Sequence, residues 1–386
     1  MVEKRLRRHI DKSVKNKNVI HRRNQAQYEA LVDIFKRYFK FDKRLIKAFV
    51  ALVVSVINAR DVNLRELSLA SAARIGIERK SLYRRFQRFF LAALLTPPRV
   101  GALVLGLLKL SRVVVSVDRT NWRIGRSDVN ILVAGVLFHG VSVPVAWLLL
   151  PARTKRGNSR TNHRKRLLRD LLALVPAASV EALVADREFI GAAWISYLNA
   201  KGIPFVIRIR SNIAVDGLRA SEAIRRRLLS PKRRRNRRFT VCGTEVFVTV
   251  KALSRGRKLI LVSNRCADER RTLDYYGARE SVESLFGHWK SRGFRFESTR
   301  MKDRKKLGQW VAVLTVCLTI SIMWGVRRNG KRAIGVKKHG FKATSLFLHG
   351  LDDVREMLKH CEEKADELKR FLRFILNELE EAVSLT

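Results

Sequence analysis

The chain has 386 residues, of which 80 are Lys or Arg and 34 are Asp or Glu, so its formal net charge is +46. Apolar residues make up 47% of the sequence, which excludes a disordered basic tail and allows a large buried core. Such a charge is costly unless a polyanion neutralises it, so we expect nucleic acid as the first partner and an anionic membrane as the second. The four cysteines are widely spaced, which indicates a reducing compartment and neither a disulfide framework nor a zinc site.

The N-terminal segment is basic and has no apolar run before Tyr28, so we interpret it as a basic arm rather than a secretory signal. Helical periodicity follows over residues 25–58. Its first apolar face contains Leu31, Ile34, Phe35 and Phe39.

Residues 63–90 predict two helices joined by a turn at Gly76. The second helix carries Phe86, Phe89 and Phe90 on its inward side, and its cationic side carries Lys80, Arg84, Arg85 and Arg88. Two interpretations stay open here. One is a helix-turn-helix whose cationic side enters a DNA groove, and the other is an ordinary helical hairpin. Pro97 and Pro98 then mark a possible domain edge.

After Arg112 the pattern changes to strands. Three β-branched or apolar runs come first, with Gly140 between the second and third, as in a hairpin. A helix over 161–175, a strand at 181–186, a helix at 191–202 and a strand at 204–210 follow. This order predicts an α/β fold with a mixed sheet and helices packed against it.

Residues 212–270 interrupt this pattern with a basic run and three strand-like stretches, which we interpret as a small β insertion. The longest apolar segment, Val311–Val326, falls short of the ~20 residues that span a membrane, so we predict a buried core helix. A polar link leads to a last amphipathic helix with Leu368, Leu372, Ile375 and Leu379 on one stripe. The predicted domains are therefore 1–105, 106–330 and 331–386.

Asp118 and Asp186 each follow an apolar or β-branched run directly. If the two strands are parallel neighbours, both carboxylates emerge at the same sheet edge, where open α/β sheets carry their sites. Convergent carboxylates can hold a pair of Mg²⁺ or Mn²⁺ ions. Either aspartate alone is also compatible with an ordinary turn residue.

The stretch Leu273–Arg300 contains Tyr276, Arg279, Glu283 and Lys290 at helical spacings. On one continuous helix, a carboxylate would lie on the same stripe as an aromatic ring and two cations. A metal-binding carboxylate beside phosphate-gripping cations has this pattern. A solvated charged helix with an i, i+4 ion pair has it too.

The motifs SVDRTNW, VADREF and YGARESVESLFGHWK resemble the three acidic motifs of the DDE transposases of bacterial insertion sequences. The third has the spacing of the group with a Tyr-Arg-Glu-Lys signature, the family of insertion sequences numbered four. SLFLHGLDDV is similar to that family's C-terminal tail.

The resemblance implies an RNase H-like core with a β insertion, a helical N-terminal DNA-binding domain and a helical C-terminal region. It implies that Asp118, Asp186 and Glu283 bind two Mg²⁺ ions, with Mn²⁺ as a substitute. Glu280 is the alternative third acid, but only Glu283 keeps the motif spacing. The residues expected to contact DNA are Tyr276, Arg279, Lys290, Asn121, Trp122, Arg187, Arg84, Arg85 and Arg88.

Three functional hypotheses follow. The first is a transposase that cleaves transposon ends in double-stranded DNA and joins them to target DNA, as a homodimer in the bacterial cytoplasm. The second is a DNA-binding protein that keeps the fold without the chemistry. The third is a basic membrane-surface protein, which the lack of a terminal basic amphipathic helix disfavours.

Overall fold

The computed structural model describes residues 28–92, 94–124, 127–151, 159–265, 267–338, 340 and 342–384. The predicted basic arm lies outside them. The chain divides into two compact units, one of residues Leu95–Thr315 and the other of Met1–Leu94 with Val316–Thr386. The predicted domain boundaries at 105 and 330 stay predictions.

The Leu95–Thr315 unit is built on one eight-stranded mixed sheet with the order β3-β2-β1-β4-β5-β10-β9-β8. Its strands are rich in Val, Ile and Leu, which suit a pleated surface covered on both faces. They are β1 (Val113–Ile124), β2 (Ser127–Phe138), β3 (Val141–Leu149), β4 (Val180–Ala185), β5 (Phe205–Arg208), β8 (Phe239–Val241), β9 (Thr244–Ala252) and β10 (Lys258–Ser263).

The first three strands form an antiparallel meander, with the predicted hairpin at Gly140 joining β2 to β3. The chain then crosses over through α6 (Thr161–Leu172), and β4 pairs with β1 in parallel. A second crossover through α7 (Ala192–Ala200) makes β5 parallel to β4. The prediction of a mixed sheet with helix-linked returns is therefore confirmed. Strand β1 does not end at Asp118 as the sequence suggested, because it stays paired with β2 as far as Ile124.

Helix α5 (Pro97–Leu108) packs on β3, and Pro at its first positions suits a helix start. A side chain at Gly101 would collide with the carbonyl oxygen of Val145. Glycine there lets the helix approach the sheet closely.

The predicted small β insertion is only partly correct. Strand β10 pairs antiparallel with β5, and β9 and β8 follow it, so all three strands extend the main sheet. The apolar β10 supplies the backbone partners that the free edge of β5 would otherwise lack. The segment between β5 and β8 holds a two-stranded hairpin of β6 (Ala214–Val215) and β7 (Leu218–Arg219), with short helices α8 (Ala220–Arg225) and α9 (Pro231–Arg234).

Two short helices follow the sheet, α10 (Glu269–Gly277) and α11 (Glu280–Trp289). The prediction of one continuous helix through this stretch is wrong. Residues Ala278 and Arg279 keep helical dihedrals, but the backbone here forms hydrogen bonds between residues three apart, such as Arg279 N–H to the carbonyl oxygen of Tyr276. The four signature residues therefore span two helices.

Helix α12 (Arg304–Lys331) contains the predicted apolar core helix. Among the described residues it is the one helix long and apolar enough to cross a membrane, and 94% of its most apolar window is buried inside the protein. The buried core helices of soluble proteins can be equally long and apolar.

The described helices and strands of the other unit are all helices, apart from a single β-bridge between Val336 and Lys342. Its helices are α1 (28–39), α2 (Lys43–Ala59), α3 (Leu64–Ile75), α4 (Arg79–Ala92), the later part of α12, α13 (Leu346–Lys359) and α14 (Ala365–Ser384). The predicted pair of helices joined at Gly76 corresponds to α3 and α4. Phe86, Phe89 and Phe90 are buried, as predicted.

Two glycines let α12 and α13 cross closely. A side chain at Gly325 would collide with the carbonyl oxygen of Leu346, and one at Gly350 with that of Ser321. In α14 the buried stripe contains Leu368, Phe371, Ile375 and Leu379. The predicted Leu372 is only half-buried, since Phe371 takes the inward position.

Candidate active site

Two aspartates lie side by side at the point where the parallel pair of strands ends. Val117 of β1 is in register with Ala185 of β4, so Asp118 and Asp186 occupy the next position on each chain. This is the arrangement that the runs before each acid suggested. At the end of a parallel pair the strands separate, which leaves room for a ligand between their side chains.

Burial raises the pKa of Asp118 to about 6. The backbone N–H of Arg119 and the charge of Arg279 oppose this shift, while the charges of Glu188 and Asp186 add to it. Three carboxylates thus act on one another in a poorly solvated site.

Asp186 is held by two residues of neighbouring elements. The hydroxyl of Tyr276 donates to its Oδ1 at 3.2 Å, and a guanidinium nitrogen of Arg208 lies 3.7 Å from the same oxygen. Burial raises the pKa of the Tyr276 hydroxyl, so it stays protonated and remains a donor. The tyrosine therefore fixes the orientation of this carboxylate.

Arg279 connects the first aspartate to Glu283. One guanidinium nitrogen lies 3.4 Å from Oδ2 of Asp118, and the other donates to Oε1 of Glu283. The Arg279 side chain is 13% exposed, whereas that of Glu283 is 58% exposed. Arg279 is also 5.7 Å from the ring of Tyr276, within cation–π range. The ion pair predicted for a plain charged helix is present, but its arginine also reaches the aspartate.

A divalent cation such as Mg²⁺ requires oxygen ligands that converge on one point. Asp118 and Asp186 offer hard oxygen donors side by side, so these two fit such an ion. Glu283 is turned to Arg279, and no group of three His, Cys, Asp or Glu within the described part of the chain is arranged to hold a metal. Glu283 could bind the same cation only if its ion pair with Arg279 were broken.

Lys290 lies beside the second half of β1. Its Nζ donates to the carbonyl oxygen of Asn121 at 3.2 Å, lies 5.4 Å from the ring of Trp122 and 3.7 Å from Glu297. Trp122 packs on Phe296 with ring centroids 5.0 Å apart. The structure thus brings together Asn121, Trp122 and Lys290, three of the residues that are expected to contact DNA.

An ion pair missed from the sequence supports the two aspartates. Arg119 contacts both carboxylate oxygens of Glu188, at 3.4 and 3.2 Å, and these side chains are 11% and 18% exposed. Arg164 is buried and donates to the carbonyl oxygen of Glu188 at 2.7 Å and to Ser159. Arg119 lies one residue after Asp118 and Glu188 lies two residues after Asp186, so the ion pair ties the two strand ends together. The opposite charges directly after the two aspartates were the sequence signal for this pair.

The remaining predicted residues lie apart from this cluster or in the other unit. Arg187 is exposed on the turn after Asp186. Arg84, Arg85 and Arg88 are exposed along α4. Their assignment to DNA stays a prediction.

Comparison with known protein families gives a match over the sheet-containing part of the chain. A family model described as the transposase DDE domain matches residues 109–320, more than half of the chain. The matched range includes Asp118, Asp186 and Glu283 and all eight strands of the main sheet. No curated protein matches the chain in a sequence comparison.

Proposed function

Because the chain belongs to the transposase DDE domain family, we propose that it cleaves transposon ends in double-stranded DNA and joins the freed 3′-hydroxyls to target DNA. The observation that carries this proposal is the pair of Asp118 and Asp186 at the end of two parallel strands, with Arg279 between the first aspartate and Glu283. The Tyr-Arg-Glu-Lys spacing supports a transposase of the insertion-sequence family numbered four.

Asp118 and Asp186 would hold a divalent cation, and Glu283 would complete the ligand set. Bound there, Mg²⁺ or Mn²⁺ in one or two sites would activate the attacking water or hydroxyl and stabilise the leaving oxygen. Tyr276 orients Asp186, and Arg119 with Glu188 holds the two strand ends at a fixed spacing. These residues pre-place the carboxylates before DNA arrives.

Arg279 and Lys290 are suited to gripping the phosphate backbone near the scissile bond. The Nε of Arg279 is buried and has no hydrogen-bond partner among the described residues, so it would be a spare donor for a phosphate oxygen if the guanidinium turned outward. Lys290 is held by Trp122 and Asn121 within the same region. Phosphoryl transfer depends mainly on such positioning and charge stabilisation.

The exposed cations of α4 would bind DNA through a helix-turn-helix formed with α3. Two ends must be held together for transposition, so we propose a homodimer on DNA, acting at the bacterial nucleoid. The test is incubation of the full chain with Mg²⁺ and a plasmid that carries the ends of its own element. Strand cleavage at those ends supports the proposal. Sequence-specific binding with no cleavage in Mg²⁺ or Mn²⁺ would leave an inactive DNA-binding protein instead.

A further inference from the structure

A charged cavity lies at the opposite end of the parallel strands from the two aspartates. It has a volume of ≈ 450 Å³ and is formed by the starts of β4 and β5, the end of β10 and one side of α10. Glu181, which lines it, and Asp186 are five residues apart on the β4 segment. At ~3.3 Å per residue this is about 16 Å, so the cavity is separate from the candidate active site.

Positive charge dominates the walls of this cavity. Four cations line it, and Glu181 is the one carboxylate among the described lining residues. The cations are Arg112, Lys201, Arg265 and Arg271. Like charges gathered around one space repel each other, and a bound anion relieves that repulsion.

Two of the cations are exposed but already have partners within the protein. The Nη2 and Nε of Arg271 donate to the hydroxyl of Tyr275, at 2.8 and 3.1 Å, and the guanidinium lies 5.4 Å from that ring. Arg112 pairs with Glu181 at 3.1 Å. A side chain that is already ordered loses less entropy when it binds a ligand, so binding there costs less.

We propose that this cavity binds a phosphate-bearing ligand. Its volume falls in the range of small-molecule sites and would accommodate a pyrophosphate or a mononucleotide. Arginine forks match phosphate oxygens in two places at once, and the adjacent lysine adds a point charge. The phosphate could be supplied by a free nucleotide or pyrophosphate, or by the backbone of a DNA strand.

Lys201 makes the proposal testable by site-directed labelling of the full chain. Pyridoxal 5′-phosphate combines a phosphate with an aldehyde. The aldehyde condenses with a lysine amine, releasing water, and borohydride reduces the imine to a stable secondary amine. Labelled peptides are then quantified by mass spectrometry. We expect Lys201 to be labelled about tenfold faster than the exposed Lys251 and Lys258.

Two matched variants and two competitors complete the experiment. Arg265→Gln with Arg271→Gln should lower labelling of Lys201 about tenfold, whereas Arg370→Gln with Arg373→Gln on α14 removes the same charge and should leave it unchanged. Protection of Lys201 by pyrophosphate or a mononucleotide identifies a free ligand, and protection by duplex DNA alone identifies the DNA backbone. Labelling of Lys201 at the rate of Lys251, or equal labelling in both double variants, would overturn the proposal.

Discussion

The guanidinium of Arg279 lies 3.4 Å from the carboxylate of Asp118, a residue 161 positions away in the chain. The same guanidinium holds Glu283, so one cation neutralises two of the three proposed metal-binding acids. A divalent cation would compete with Arg279 for these oxygens. If the proposed metal displaced it from these oxygens, the guanidinium would be free to contact a DNA phosphate.

The first prediction concerns the chemistry of Arg279. Arg279→Lys should slow single-turnover cleavage of pre-bound ends by about tenfold or more, because an ammonium cannot contact a carboxylate and a phosphate as a planar fork does. Affinity for the ends should change less than the rate. Lys290→Ala should act in the same direction. Arg300→Lys, on an exposed residue outside the cluster, is the control. Wild-type rates for both variants would show that neither Arg279 nor Lys290 contributes to the cleavage step.

The second prediction is a pH dependence of stability. Burial raises the pKa of Asp118 to about 6, above the 3.8 of an unperturbed aspartate, so the folded protein holds this proton more tightly than the unfolded chain does. The stabilising contribution is present below pH ~4 and is lost as pH rises through ~6. Asp118→Asn removes this titration. The change in the free energy of unfolding caused by the substitution should therefore be more favourable at pH 8 than at pH 4, by up to about 3 kcal/mol. Thermal denaturation in EDTA at the two pH values measures this. A variant equally affected at both pH values would contradict it.

The third prediction concerns the ion pair of Arg119 and Glu188. Glu188→Gln leaves a largely buried guanidinium without its counter-charge, which should lower the free energy of unfolding by about 3 kcal/mol. It should also slow cleavage on pre-bound ends, since the strand ends lose their fixed spacing. Asp128→Asn breaks the exposed pair with Arg123 and should cost less than about 1 kcal/mol. Equal urea midpoints for the two variants would show that the buried pair has no special role.

The fourth prediction concerns the α4 cations. If they contact DNA phosphates, replacing Arg84, Arg85 and Arg88 by Gln should reduce the slope of log affinity against log salt by about 2 to 3, because each contact contributes about 0.9. A variant with Lys369, Arg370 and Arg373 of α14 replaced by Gln carries the same charge change. If both variants lower the slope equally, α4 has no specific contact and α3 with α4 is an ordinary helical hairpin.

Part of this architecture could be predicted from local patterns. The apolar runs before Asp118 and Asp186 and the predicted helix between them indicated that both acids would share a sheet edge if their strands were parallel neighbours, and the structure shows that they are. The break after Gly277 was not predictable, because Ala278 and Arg279 keep helical dihedrals and differ from a helix only in their hydrogen bonds. The pairing of β10 with β5 depends on a contact between distant segments, which local periodicity does not encode.

The central claim is that Asp118, Asp186 and Glu283 form the cleavage site. The most direct measurement is single-turnover cleavage of an end DNA, selected from a random library by binding, in Mg²⁺ and again in EDTA. Wild type should cleave only with the metal. Asp118→Asn, Asp186→Asn and Glu283→Gln should bind the DNA normally but cleave at least about 10³-fold more slowly, while Glu280→Gln cleaves normally. Cleavage by Glu283→Gln at the wild-type rate, or cleavage by wild type in EDTA, would contradict the account.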